Sequence, residues 1–186
     1  MTMIGALLTS LVMAREYERG TLESLFVTPV GSGEILTAKA ATNFLLGMVS
    51  LAISMVFAAF VFDIPIRGSL LLLLAVSALF LIVALGLGLV ISTATKNQFL
   101  ACQFAIMGTF MPALMLSGFL YDILNMPPAV RAVTYLIPAR YYVTLLQTLF
   151  LAGDIPSVII PCCITLGVFA VVLMSIARLK APKSLE

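Results

Sequence analysis

The sequence predicts an all-α, polytopic integral membrane protein, and three observations carry that prediction. Hydrophobic residues make up 62% of the 186-residue chain and charged residues only 10%, whereas about a quarter of an ordinary globular chain is charged. A soluble domain of this length could not hide so much apolar surface, because a sizeable share of any small domain stays exposed. The charges fall in short clusters between long uncharged runs, and four of those runs reach the length of about 20 residues that a helix needs to cross hydrocarbon. The net charge of +2 gives no electrostatic reason to expect a nucleic-acid partner.

The elements follow in order. Residues 1–13 are apolar and lead to Arg15, too short a run for a complete crossing, so the chain is expected to hold about five spans with the first one partial. It lacks the basic start and small-residue cleavage site of a signal peptide. Residues 40–62, 69–95, 99–121 and 155–177 are the complete spans. Arg15, Arg19, Lys39, Lys96, Arg178, Lys180 and Lys183 all fall on one side of such an alternation, and Arg67, Arg131 and Arg140 on the other. Basic residues concentrate on the cytoplasmic side, so the 15–36 segment and the 178–186 tail are expected to be cytoplasmic. The whole chain, 1–186, reads as a single transmembrane domain. Cys102, Cys162 and Cys163 fall inside spans and read as packing residues. The chain has no histidine, and no Cys/Asp/Glu grouping has metal-ligand spacing.

Two segments between spans are more informative. In the first, 15–30, Gly20 interrupts a charged turn, and Leu22, Leu25, Phe26 and Pro29 follow at spacings of three and four, with Glu23 and Ser24 opposite. This pattern predicts a short amphipathic helix along the membrane surface, stopped by the extended preference of Thr28 before Pro29. Ser32 is placed to cap the next helix, with Glu34 in its first turn. Lipid-surface helices are usually rich in Lys and Arg. Here Glu16, Glu18 and Glu23 mix with Arg15 and Arg19, which leaves open both lipid contact and docking on a protein.

The second segment, 122–154, is apolar but broken by Pro127, Pro128 and Pro138. Pro127 and Pro138 sit where helices could begin, and short apolar helices are more often re-entrant or interfacial than spanning. The expectation is a pair of short helices dipping into the outer leaflet, with Tyr121, Tyr135, Tyr141 and Tyr142 at headgroup level.

Taken together, the Arg15-Glu-x-Glu-Arg-Gly-Thr-x-Glu-x-Leu-x-x-Thr-Pro29 pattern and the later Ser117-Gly118, Met126-Pro127 and Ile137-Pro138 run resemble the permeases of the type-two ABC exporter family, across the whole chain. The resemblance implies that 15–30 is a cytoplasmic coupling helix seated in a groove of an ATP-binding subunit. Glu16, Tyr17, Arg19, Gly20, Thr21, Leu22, Glu23, Leu25, Phe26 and Pro29 would form the contact. It also implies that 122–154 is an outer re-entrant pair capping a transport path. Against that family's six spans, this sequence corresponds to the portion from the second span onward, without the first span and its extracytoplasmic domain. Asp122-Ile123 follows Tyr121 where relatives often carry a proline.

The same resemblance implies a bacterial inner-membrane exporter subunit that works with an ABC ATP-binding subunit and a second permease, identical or not, in contact with membrane lipid. Its substrate would be lipophilic, drug-like, or a lipid or glycan. No cofactor is expected in this chain: it has no G-x-x-x-x-G-K-[ST] loop, so ATP would be bound by the partner, and no enzymatic role is expected. Charged residues are absent from the middle of the four complete spans, where ion relays keep them. Gln103, Met107, Met111 and Met115 recur every four residues on one face, with Pro112 offering a kink. That face, with Ser117 and Gly118, is the candidate substrate path, since Met surfaces accommodate varied ligands; helix packing or lipid contact is the competing reading. Ala84, Gly88 and Ser92 form a small-residue face suited to helix packing. Two other functions remain open on the residues alone: a lipid-modifying membrane enzyme using Glu16, Glu18 and Glu23, or a non-transporting assembly or regulatory subunit.

Overall fold

Every regular element among the described residues of the computed structural model, which are 3–19, 32–60, 67–95 and 97–180, is helical. A π-helical turn at Met3–Leu8 runs straight into helix α1, Thr9–Arg19. Helix α2 is Ser32–Phe60 and helix α3 is Leu70–Thr95. A third long rod is built of α4 at Gln98–Ala105, a π-helical turn at Ile106–Phe110, and α5 at Met111–Leu116. Two short helices, α6 at Pro128–Thr134 and α7 at Pro138–Gln147, precede the last helix, α8 at Pro156–Lys180. Among the described residues, four segments are long and apolar enough to cross a membrane: Ala38–Ala58, Leu70–Thr95, Gln98–Leu116 and Pro156–Leu179. They coincide with the four complete runs of the sequence.

Helix α3 is the axis of the bundle. It is apolar around its whole circumference, and such a helix belongs in the interior of an assembly. Helix α8 covers one side of it and α1 another. The other three spans keep most of their apolar surface outward, as helices meeting lipid or another subunit do. The small face of α3 is buried at Ala84, Gly88 and Ser92, and the start of the chain lies directly on Ala84 and Gly88. A Cβ on Gly88 would stand 2.6 Å from the Ala6 carbonyl oxygen, so the two backbones meet at a point only glycine leaves free. Across the same contact, buried Asn43 of α2 donates from Nδ2 to Thr9 Oγ1 of α1 at 3.1 Å.

A widened, π-helical turn precedes Pro112. The proline's missing N–H and its ring conflict with a regular helix. The turn before it is a π-helix closed by a Met111 N–H to Ile106 carbonyl bond, a known place for such a turn to absorb disruption. Prolines also set the short helices: α6 opens at Pro128 after Pro127, and α7 opens at Pro138. Asp122 caps a single 3-10 turn at Ile123–Asn125 by accepting from Leu124 N–H at 3.1 Å. Both devices begin a helix, one by the fixed proline geometry and one by N-capping.

Helix α7 does not lie on the surface. Ala139, Tyr142, Leu145 and Leu149 pack with Leu73, Val76 and Phe80 of α3 and with Leu166 of α8. The α6–α7 turn shares a small cavity with Ala84, Leu87 and Gly108, which places it beside the middle of α3. At its far end the chain is tied to the α2–α3 connection, by Gly68 N–H to the Leu149 carbonyl at 2.9 Å and by Ser69 N–H to Asp154 Oδ1 at 3.0 Å. The segment therefore enters the bundle and returns to the end from which it came.

Two expectations change with this depth. Tyr142 is 7% exposed and no belt residue: its ring stacks on Phe80 with centroids 4.1 Å apart, and its hydroxyl lies 3.0 Å from Ser77 Oγ. Packing of α7 on α3 offers that tyrosine both an aromatic face and a hydroxyl partner, which headgroups do not. Arg140, grouped with the charges of the outer edge, sits instead at the α6–α7 turn. Its guanidinium lies 3.9 Å over the Tyr135 ring and donates to Thr134 Oγ1, two contacts that make a charge tolerable at that depth.

Candidate functional site

The predicted contact segment begins at the charged end of α1. Gly20, Thr21, Leu22, Glu23, Leu25, Phe26 and Pro29 lie outside the described residues. What the structure describes is the mounting on either side of them. Glu16 is half-buried and ion-paired with Lys39 of α2. Tyr17 turns inward and packs with Met13, Leu89 and Ala177, and burial raises its phenol above the usual tyrosine range. Glu18 reaches across to α4, where Oε2 accepts the Gln98 N–H at 3.3 Å. Asn97 caps the same helix start through Phe99 N–H and Leu100 N–H. Helix α1 is thus tied to α2 by Glu16–Lys39 and Asn43–Thr9, and to α4 by Glu18.

Glu16 and Tyr17 were expected at the partner contact with the rest of 15–30. Within the chain both also make contacts, because the last turns of α1 pack on α2, α3 and α8. Sequence reasoning missed the ties made by Lys39, Asn43, Gln98 and Glu18. The only signal for them was polar residues at the ends of different apolar runs, and their pairing is invisible to spacing within one helix.

The candidate path residues divide into two groups. Gln103, Met107, Met111 and Met115 share one exposed face of the α4–α5 rod, and the π-helical turn does not disturb that alignment. Ser117 is buried just past α5, and Gly118 follows with a φ of +87°, a left-handed conformation that favours glycine. The two residues reverse the chain where α5 stops, and only the first four present a continuous surface. The three cysteines are free thiols, and no cluster of metal-ligating residues occurs among the described residues.

Comparison with known proteins gives a consistent set of matches. Residues 1–151 match the family described as ABC-2 type transporter. Over 186 residues, all of this chain and 49% of the relative, the chain is 48% identical to the "Probable multidrug ABC transporter permease YbhS" of Escherichia coli (strain K12). It is 32% identical over 81% of this chain to the "Probable multidrug ABC transporter permease YbhR" of the same organism, covering 41% of that protein. It is 29% identical over 99% of this chain to the "Inner membrane transport permease YhhJ", also from Escherichia coli, covering 49% of it. The chain spans about half the length, or less, of these curated relatives. No solved structure matches it significantly.

Proposed function

This chain belongs to the ABC-2 type transporter family, and from that premise we propose that it is the membrane-embedded part of an ATP-driven exporter for lipophilic, drug-like, lipid or glycan cargo. It sits in the inner membrane of a bacterium, paired with a second permease subunit. A separate ATP-binding subunit docks on residues 15–30, with Leu22, Leu25 and Phe26 as the apolar plug. Closure of that subunit on ATP pushes the segment against α1. The ties from α1 to Lys39 and to the start of α4 pass the push to α2 and α4 together. Movement of α4–α5 then opens the methionine face, and the α6–α7 pair guards the far end of the path as a re-entrant cap. The observation that carries this reading is the mounting itself: both chain ends flanking 20–31 are locked to the spans by buried or paired polar groups. The names of the relatives as multidrug permeases support the cargo class.

Transport is tested in inverted membrane vesicles holding the full-length subunit and its ATP-binding partner. ATP is expected to drive accumulation of a lipophilic dye. Met107→Phe, Met111→Phe and Met115→Phe combined should change which dyes accumulate while leaving the ATP-binding subunit attached. Accumulation of every dye at wild-type rates would assign that face to packing or lipid contact.

The sidedness has its own test. In a background with Cys102, Cys162 and Cys163 replaced by alanine, Ser32→Cys should react with a membrane-impermeant maleimide only after the cells are opened. Labelling from outside intact cells would invert the topology.

A further inference from the structure

The turn between α6 and α7 carries a charge at a depth where charges are costly. Leu136, Ile137, Pro138 and Ala139 border one cavity with Ala84, Leu87 and Gly108, residues from the middle of α3 and of the α4–α5 rod. Arg140 stands in the first turn of α7 at this level. Charged side chains kept near mid-bilayer pair with one another or mark a substrate or ion path. Arg140 forms no ion pair among the described residues. Nor could a second copy of this chain supply an acid there, because its 8 acidic residues all lie outside the four spans and outside residues 123–153.

The guanidinium is nonetheless held in one place. It lies 3.9 Å over the Tyr135 ring and donates from Nη1 to Thr134 Oγ1. Buried Thr134 donates in turn to the Arg131 carbonyl at 2.8 Å, and Tyr141 Oη donates to the Tyr135 carbonyl at 3.0 Å. These links fix the turn on which the guanidinium rests. A guanidinium carries five N–H donors, and that to Thr134 is the one hydrogen bond it makes among the described residues. Arg140 is half-buried and Tyr135 is 53% exposed, so the stacked cation lies at the outside of this bundle. Helix α7 also opens with no side-chain cap, and a helix start adds positive partial charge. A cation placed there is unfavourable on both counts until an anion arrives.

We propose that Arg140 receives the anionic group, a carboxylate or a phosphate, of a lipophilic molecule carried by this subunit, so that amphiphilic anions are its preferred cargo. This role rests on the export reading of the chain. The planar fork of a guanidinium matches both groups with paired hydrogen bonds. Met115 of the methionine face and Val130 of α6 border a common cavity, so the hairpin flanks the apolar surface that would meet the rest of such a molecule. Phosphates of bilayer lipids lie at headgroup level, away from the middle of the spans.

The test follows ATP hydrolysis by the full-length subunit and its ATP-binding partner in phosphatidylcholine vesicles, against rising concentrations of paired probes. Each pair is a lipophilic carboxylic acid and its neutral amide, such as pyrenebutyric acid and pyrenebutyramide. The acids are expected to reach half-maximal stimulation at lower concentration than their amides. Arg140→Gln should raise that concentration for the acids at least roughly tenfold, as loss of a charge-assisted hydrogen bond does. It should leave the amides unchanged, which also shows that the variant folds. Arg140→Lys keeps the charge without the fork, so it should raise the concentration severalfold for the acids alone. That variant decides the matter if Arg140→Gln fails to assemble. Equal response to acids and amides in wild type would overturn the proposal, as would acids indifferent to Arg140→Gln. Equal loss of both by Arg140→Lys would make the arginine a structural residue and overturn it as well. So would loss of the preference for acids when phosphatidylglycerol is added to the vesicles, which assigns the guanidinium to lipid phosphate. Release of the second permease subunit by Arg140→Gln would overturn it too, since the anion then belongs to that partner. Stimulation by amides alone would end this proposal and leave the export reading standing, whereas stimulation by no acid and no amide would remove both.

Discussion

Gly88→Val is expected to unseat α1 from α3 and to cost the full-length subunit a large part of its stability. A Cβ at position 88 would lie 2.6 Å from the Ala6 carbonyl oxygen and 3.0 Å from Thr9 Cβ. Neither is the free end of a flexible side chain, so the helices themselves must separate. Forcing extra carbon into a packed contact costs about 1–3 kcal/mol, and valine adds two methyl groups to that first carbon. Separation also pulls on Thr9–Asn43 and Glu16–Lys39, which hold the same helix to α2. Unfolding by added sodium dodecyl sulfate is the measurement, with Gly108→Ala as the control because a Cβ there meets nothing within 4 Å. Gly88→Val should unfold at clearly lower detergent, with Gly88→Ala between it and the control. Identical unfolding of Gly88→Val and Gly108→Ala would mean that α1 does not pack on Gly88.

The spans were legible because the membrane imposes one length and one composition on them, and the structure returns the same four runs to within a few residues. Prolines marked the breaks for an equally local reason: Pro128 and Pro138 open helices without losing a bond. The response to Pro112 was legible only in part. Sequence gives the missing N–H, but how a helix responds depends on what its neighbours allow, and here a π-helical turn precedes the proline. Tyr142 and Arg140 were misplaced because a belt residue and a buried one look alike until the partner helix is known. Tyr142 meets Ser77 and Phe80 across 65 and 62 positions of chain, and Arg140 owes its place to Thr134 at a turn whose depth no local pattern encodes. The candidate path was visible as a stripe of methionines. Ser117 and Gly118 were joined to it, and in the structure they reverse the chain after α5. The mounting of residues 15–30 was invisible for the same reason as Tyr142: Glu16, Lys39, Glu18 and Gln98 are polar residues from three different helices.

If residues 15–30 join this subunit to an ATP-binding subunit, Phe26→Ala with Leu22→Ala is expected to part them. Phe26 is the largest apolar side chain of the Leu22, Leu25, Phe26 stripe, and interface energy concentrates in buried aromatic anchors. Truncating one such anchor typically costs at least about 2 kcal/mol, a roughly thirtyfold loss of affinity. Leu22 is four positions earlier in the sequence, so the double substitution removes two parts of the proposed plug. Membrane insertion should survive, because no spanning segment is touched. Charge contacts at the rim weaken with salt, whereas an apolar anchor does not, which separates docking on protein from adhesion to lipid headgroups. The direct measurement is capture of the purified ATP-binding subunit by the detergent-solubilised full-length subunit at several salt concentrations. The account predicts strong capture by wild type at low and high salt, and loss of capture at both by the double variant. Undiminished capture by Phe26→Ala with Leu22→Ala would contradict the assignment of these residues as the coupling contact.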